Sequence, residues 1–132
     1  MPRKRVLHPD RLRRVPPQFS WIDQRLVREG YVERCDIHAL GLYLVLITVA
    51  DARGVSYYGD STLARLLSTP TARVLQARAD LIRLELIAYE RPLYQVLSLD
   101  PPVAVRQHGP RSVQDGLAQL RGTLAAAQDR PR

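Results

Sequence analysis

The chain has 132 residues, 45% of them apolar, which is enough for one globular domain with tails but not for two separate cores. A single cysteine, Cys35, excludes an internal disulfide, and the longest apolar run, residues 39–50, is shorter than the roughly 20 residues that span a bilayer. The net charge of +7 is concentrated in the tails, since residues 1–14 carry +5, residues 101–132 carry +3 and residues 15–100 carry −1.

Residues 1–18 combine basic side chains with four prolines, so they are predicted to form a flexible arm rather than a helix or strand. Arg3, Lys4 and Arg5 stand at its start. A basic arm can lie along nucleic-acid phosphates or enter a minor groove, and a solubilising tail explains the same composition equally well.

Residues 19–30 are predicted to form a helix, with Ser20 as its N-cap, Asp23 completing a loose capping box and Gly30 ending it. The apolar side chains of this segment form one stripe: Trp21, Ile22, Leu26 and Val27. We expect the stripe to pack on the domain, with a dimer contact as the alternative for its tryptophan and for Phe19.

Residues 36–51 are apolar on nearly every side, which predicts a helix buried on several faces. After a turn, residues 55–58 read as a short strand. Residues 86–99 have a strand-like period interrupted at Arg91 and Pro92, which predicts a β-hairpin. We expect the short strand to pair with this hairpin in a three-stranded sheet.

Between the short strand and the hairpin, two helices are predicted. Asp60 or Ser61 can cap a first helix of about two turns. Thr69 is expected to cap the second, with Pro70 at its first position, where the missing N–H costs nothing. Within residues 70–84 the apolar side chains fall at helical spacing and predict one buried face: Val74, Ala77, Leu81 and Leu84.

The order of helix, turn, helix and hairpin resembles the winged helix-turn-helix superfamily. The resemblance is carried by a Leu-Ala pair, by spaced leucines and by the Leu-Ile step into the wing: Leu63, Ala64, Leu81, Leu84, Leu86 and Ile87. It covers roughly residues 36–99 and implies a mainly α fold with a small antiparallel sheet. With the N-terminal helix predicted above, the winged helix-turn-helix domain is expected to span residues 19–100, and a C-terminal helix follows it. Ser68 and Glu85 stand where the family usually has glycine, which leaves the geometry of both turns open. Residues 51–99 are also similar to the N-terminal winged domains of plasmid and phage replication initiators.

The resemblance implies that the protein binds double-stranded DNA and inserts the helix at 70–84 into the major groove. The side chains implied to face base edges lie in the first half of that helix: Thr71, Ala72, Arg73 and Gln76. Arg73 would contact guanine O6 and N7, Gln76 adenine N6 and N7, and Ala72 a thymine methyl group. The residues expected on the DNA backbone are Ser61, Arg65 and Thr69 near the turn and Arg91 at the wing tip.

Residues 101–111 are predicted to be a linker and residues 112–132 a helix with a tail. The apolar stripe of this helix is narrow and interrupted by two glycines, so it is marginal alone. It would be stable against its own domain or against a second copy, and a homodimer is therefore expected among the partners.

The sequence has no pattern typical of an enzyme, since its three histidines are scattered and no phosphate-binding loop, zinc-protease motif or nucleophile elbow occurs. Cys35 and His38 would supply only two ligands, which make a poor zinc site. We therefore expect no catalytic residue, no metal and no cofactor. The lone cysteine and the lack of an apolar leader are typical of a cytoplasmic protein, here one associated with the nucleoid.

Two functions are compatible with these observations. The first is a homodimeric DNA-binding protein, either a transcriptional regulator or an accessory factor of replication or mobile elements. The second is a winged helix module that binds a protein partner and has only nonspecific, tail-mediated DNA affinity. Charge balance motivates the second, because residues 60–100 hold five basic and five acidic side chains, which is unusual for a strong DNA binder.

Overall fold

The structure is a computed structural model that describes residues 3–101. The mainly helical fold with one small antiparallel sheet is confirmed, in an arrangement compatible with a winged helix. The elements are α1 (Arg25–Arg28), α2 (Ile37–Val49), β1 (Val55–Tyr57), α3 (Asp60–Leu66), α4 (Thr71–Arg83), β2 (Ile87–Glu90) and β3 (Leu93–Val96). A compact unit ends at Leu99. The predicted linker beyond Pro101 and the predicted helix at 112–132 lie outside the described residues.

The central helix α2 begins at Asp36, whose carboxylate accepts a hydrogen bond of 2.8 Å from the backbone N–H of Ala39. Its buried face packs against α4 and the two helices share much of the core: Ala39, Leu42, Tyr43 and Leu46 from α2 with Val74, Ala77 and Leu81 from α4. The prediction of burial on several faces is wrong for Ile37 and Leu44, which are 75% and 54% exposed. Within residues 3–101, nothing buries this second apolar face of α2.

The sheet has the strand order β1-β3-β2, with both pairs antiparallel. The hairpin of β2 and β3 turns at Arg91 and Pro92, as predicted, and β1 pairs with β3, as predicted. Tyr94 of β3 lies opposite both Ser56 and Tyr89, and its ring is buried in the core. The sheet therefore closes one end of the helical core.

The predicted N-terminal helix over residues 19–30 is wrong in length, because only the four residues of α1 are α-helical. The Asp23 carboxylate binds the first helical N–H, that of Arg25, at 2.8 Å and pairs with the same residue's guanidinium at 2.7 Å. This hydrogen bonding lowers the pKa of Asp23. Ser20, the predicted cap, instead donates to the carbonyl oxygen of Thr48 at 3.2 Å.

The predicted docking of the N-terminal apolar stripe is also wrong, except at Leu26, which is buried in the core. Trp21 is 76% exposed, and its apolar neighbours on the stripe are exposed as well. The segment nevertheless runs beside α2. Burial raises the pKa of Tyr43 to about 12, and the nearby charge of Asp23 adds to that shift.

The two turns at Ser68 and Glu85, which lack glycine, both adopt the left-handed backbone that glycine favours. Ser68 has φ 51° and Glu85 has φ 60°, both in the left-handed region. After each helix the chain closes with the same pair of hydrogen bonds: Thr69 N–H to Ala64 C=O and Ser68 N–H to Arg65 C=O after α3, then Leu86 N–H to Leu81 C=O and Glu85 N–H to Ile82 C=O after α4. This is the Schellman motif, built here at a cost of roughly 1–2 kcal/mol per non-glycine residue.

The N-caps of α3 and α4 each lie one residue away from a residue that was predicted to cap the helix. Gly59 caps α3 and Pro70 caps α4, neither with a side-chain hydrogen bond. The residues predicted for these caps are Asp60 or Ser61 for α3 and Thr69 for α4. Asp60 does not act as a cap, because its carboxylate is paired with the Arg78 guanidinium at 2.7 Å.

Asp51 closes the turn before β1, since its Oδ1 atom accepts hydrogen bonds from the N–H groups of Val55 at 3.0 Å and Arg53 at 2.8 Å. These bonds lower the pKa of Asp51. The stability they contribute should be complete above the unfolded-state pKa of about 3.9 and be lost as the pH falls through the lowered folded-state value. Asp51→Ala should therefore reduce the fall in urea midpoint between about pH 7 and about pH 3.

The matched control for this pH prediction is Asp10→Ala in the exposed arm, which should leave the fall in urea midpoint unchanged. An unchanged fall in the Asp51→Ala protein would contradict the assignment of the pH dependence to this turn.

In the part of the chain that the structure describes, every helix is too short or too polar to cross a bilayer.

Candidate functional site

The exposed face of α4 gathers all four residues predicted to face base edges. Thr71, Ala72, Arg73 and Gln76 occupy its first two turns and are exposed. Val74, Ala77 and Leu81 hold the opposite face in the core. The N-terminal half of α4 is therefore an accessible, mixed polar and apolar surface.

Arg73 and Gln76 differ in how free their side chains are. Arg73 makes no ion pair with any residue in 3–101, so its guanidinium is available to an outside acceptor. Gln76 instead donates from Nε2 to Asp80 Oδ1 at 3.0 Å, and Arg83 binds the same oxygen at 3.0 Å. Reading an adenine through Gln76 would require this intrahelical hydrogen bond to break.

The residues predicted on the DNA backbone lie around α4. Ser61 and Arg65 are exposed on α3, Thr69 is half-buried in the turn between the helices, and Arg91 is exposed at the tip of the hairpin. Like Arg73, neither Arg65 nor Arg91 makes an ion pair with another described residue. Free guanidinium groups thus lie on α3, on the first turn of α4 and at the tip of the hairpin.

Arg3, Lys4 and Arg5 are exposed and precede a single 3-10 turn at Pro9–Arg11. Within residues 3–101, no hydrogen bond or ion pair joins them to the rest of the fold. The structure therefore does not bring the basic arm to the α4 surface.

Arg78, which the sequence interpretation did not single out, ties α4 to both α3 and the hairpin. Its Nη1 atom donates to Asp60 Oδ1 at 2.7 Å and to the Tyr94 hydroxyl at 2.8 Å. Its guanidinium carbon also lies 4.2 Å from the ring centroid of Tyr89, which stacks in tilted fashion on Tyr94. Burial lowers the pKa of Arg78, but the hydrogen bonds outweigh it, so the net shift is upward.

The Arg78 linkage decides which charges of the motif face outward. It neutralises Asp60, and Arg83 is paired with Asp80 on the last turns of α4. Within residues 60–100, the basic groups left without an ion pair are Arg65, Arg73 and Arg91. Glu85 and Glu90 are exposed at the far end of α4 and on β2. The net neutrality of residues 60–100 therefore includes acidic groups that are already paired, while Arg73 at the start of α4 is unpaired.

A second feature missed from the sequence is an apolar stripe on the exposed side of α4. Leu75 and Ile82 are each 43% exposed, and Ala72 and Ala79 lie beside them at helical spacing and are exposed. The 3-4-3 spacing of these four residues could have revealed the stripe, since it marks one helix face.

No group of three or more histidine, cysteine or acidic side chains comes together in residues 3–101. Burial, followed by the nearby Asp36 charge, raises the pKa of the Cys35 thiol. At neutral pH this thiol is therefore protonated and a poor nucleophile.

Comparisons of this chain with protein-family models, with curated proteins and with solved structures found no match.

Proposed function

We propose that this protein binds double-stranded DNA as a homodimer, with the N-terminal half of α4 in the major groove, as a transcriptional regulator or an accessory factor of replication or mobile elements. The observation that carries the proposal is the free Arg73 guanidinium on the first turn of a helix whose opposite face is anchored in the core. A major groove about 12 Å wide admits such a helix, and arginine is the commonest specific contact to guanine.

The surroundings of α4 support the same proposal. Arg65 on α3 and Arg91 at the tip of the hairpin also have free guanidinium groups, which would contact the phosphates of a bound duplex. Arg78 holds α3, α4 and the hairpin together through Asp60 and Tyr94, so the three elements present one fixed surface. A preformed surface loses less conformational entropy on binding than a flexible one.

The proposal predicts that Arg73→Ala combined with Gln76→Ala lowers affinity for the preferred duplex at least about tenfold and removes the sequence preference. Binding is measured by fluorescence anisotropy, with a duplex enriched by selection and with a mixed-sequence duplex, across a salt series. The matched control is Arg28→Ala, which removes an exposed arginine on α1, away from α4. An unchanged preference in the double variant removes α4 from the DNA interface.

The contribution of the arm is separated by replacing Arg3, Lys4 and Arg5 with serine in the full chain. Loss of phosphate contacts alone should weaken all duplexes equally and reduce the salt dependence, while the preference for the selected duplex stays. Loss of all DNA binding in this variant would show that affinity comes from the arm, not from α4.

A protein partner for the same surface is the second candidate function. It is favoured by the apolar stripe of Leu75 and Ile82, because side chains of this kind match the core of a protein interface better than a phosphate backbone. Under this alternative the Arg73 and Gln76 double variant leaves DNA binding unchanged, whereas Leu75→Ser with Ile82→Ser abolishes capture of the partner.

A further inference from the structure

A group of large exposed apolar side chains lies away from α4, on α2 and within residues 19–22. These five side chains are each more than half exposed: Phe19, Trp21, Ile22, Ile37 and Leu44. We name these five residues the α2 patch. Isolated exposed apolar residues are ordinary, but a contiguous group of this size marks an interaction surface.

The contacts of the N-terminal segment make the α2 patch contiguous. Ser20 donates a hydrogen bond to the Thr48 carbonyl oxygen at 3.2 Å, which places its neighbours Phe19 and Trp21 at the end of α2. Thr48 lies one turn beyond Leu44 and donates to the Leu44 carbonyl oxygen at 2.7 Å. Ile37 lies two turns before Leu44 on the same side of α2, and the half-buried Leu67 side chain lies against Gly41 between them.

The chemistry of the α2 patch fits a second copy of this chain. The thirteen residues of α2 include no aspartate, glutamate, lysine or arginine. In a two-fold dimer the same patch of each subunit contacts that of the other. A patch with charges of one sign would therefore repel its copy, whereas an uncharged patch would not. A different protein with a charged binding face would find no complementary charge on α2.

The size of the patch also fits a dimer. Two aromatic and three aliphatic side chains that are mostly exposed offer roughly 600 Å² per protomer when their stems and neighbours are included. Stable protein interfaces bury about 800 Å² per partner, and the half-buried Leu40 and Ile47 border the patch on α2.

We propose that two copies of the protein associate through the α2 patch around a two-fold axis. Because the opposite face of α2 packs on α4, this association leaves both exposed α4 faces uncovered. It rests on the homodimer of the proposed function and names its surface. DNA binding by α4 is tested separately, so a failed dimer and a failed DNA interface can be told apart.

The test is sedimentation velocity on the full chain over a dilution series, with Leu44→Arg and its matched control Leu93→Arg. Leu93 is 45% exposed and Leu44 54%, but Leu93 lies in the hairpin, opposite Glu90. The wild type and Leu93→Arg should dimerise alike, and Leu44→Arg should weaken dimerisation at least about 100-fold with an unchanged circular dichroism spectrum and Tm.

Trp21 provides an internal probe, because it is the one tryptophan of the chain. Its emission should shift to longer wavelength as the wild type dissociates on dilution, and should stay at long wavelength at every concentration of Leu44→Arg. A wild type that stays monomeric, or a dimer that survives Leu44→Arg, overturns the proposal. A blue-shifted Trp21 emission that does not change with protein concentration also overturns the proposal, and so does a blue shift that appears only with anionic lipid vesicles. In each case something other than a second copy covers the patch.

Discussion

Replacing Arg78 by methionine is expected to lower the free energy of unfolding by about 3 kcal/mol, although methionine preserves much of the side-chain volume. The guanidinium is the shared partner of the Asp60 carboxylate and the buried Tyr94 hydroxyl, so its removal leaves both without that partner. The contact with the Tyr89 ring is lost as well. Thermal unfolding followed by circular dichroism should show a Tm lower by more than about 10 °C.

Arg83→Met is the matched control for this prediction. Arg83 is on the same helix and also pairs with an aspartate, Asp80 at 3.0 Å, but its side chain is 65% exposed, against 14% for Arg78. Pairs of that kind contribute less than about 1 kcal/mol, so Arg83→Met should leave Tm nearly unchanged. Tyr94→Phe should fall between them at about 1 kcal/mol. Equal effects of the two arginine substitutions would contradict the linking role of Arg78.

Gly54→Ala is expected to cost about 3 kcal/mol, the second large effect. Gly54 has φ 84°, and a Cβ atom there would lie 2.8 Å from the backbone carbonyl oxygen of Val96. The same two residues are joined by a hydrogen bond of 2.9 Å from Val96 N–H to Gly54 C=O, so neither backbone can move without breaking the pairing of β1 with β3. Urea unfolding should show a lower midpoint and an unchanged slope.

Two other glycines distinguish the cost of the left-handed backbone from the cost of the steric contact with Val96. Gly30 has φ 81°, and a Cβ atom added there would have no neighbouring atom within 4 Å, so Gly30→Ala should lose only about 1 kcal/mol. Gly59 has φ −79° and is equally open, so Gly59→Ala should cost less than about 1 kcal/mol, chiefly because alanine is a poorer N-cap for α3. If Gly54→Ala were no worse than Gly30→Ala, the close approach of Val96 would not limit this turn.

The elements with a regular local pattern were predicted well. The helix at 70–84 differs by one residue at each end from Thr71–Arg83, and the hairpin turns at Arg91 and Pro92 as predicted. Hydrophobic period and proline position are properties of neighbouring residues, so the sequence contains them directly. The exposure of Arg73 and Gln76 follows from the same period.

The N-terminal segment was predicted badly because its local signals compete. Ser20 is a good helix cap by type, yet its hydroxyl binds the carbonyl oxygen of Thr48, and Asp23 binds the first helical N–H instead. Both side chains can cap a helix, and the choice between Ser20 and Asp23 depends on Thr48, which lies more than twenty residues from either. The apolar stripe was assigned to the core for the same reason, since apolar spacing does not say whether another surface is present to cover it.

The sequence by itself determined the order of helices and strands, the division between near-neutral domain and basic tails, and the face of α4 that stays in solvent. Only the tertiary structure decided the partners of Arg78 and the exposure of Ile37 and Leu44. The partners of Arg78 lie 16 and 18 positions from it in the chain, and the exposure of Ile37 and Leu44 depends on what packs against α2. Local patterns record which side chains can be buried, whereas the packing of distant segments decides which ones are.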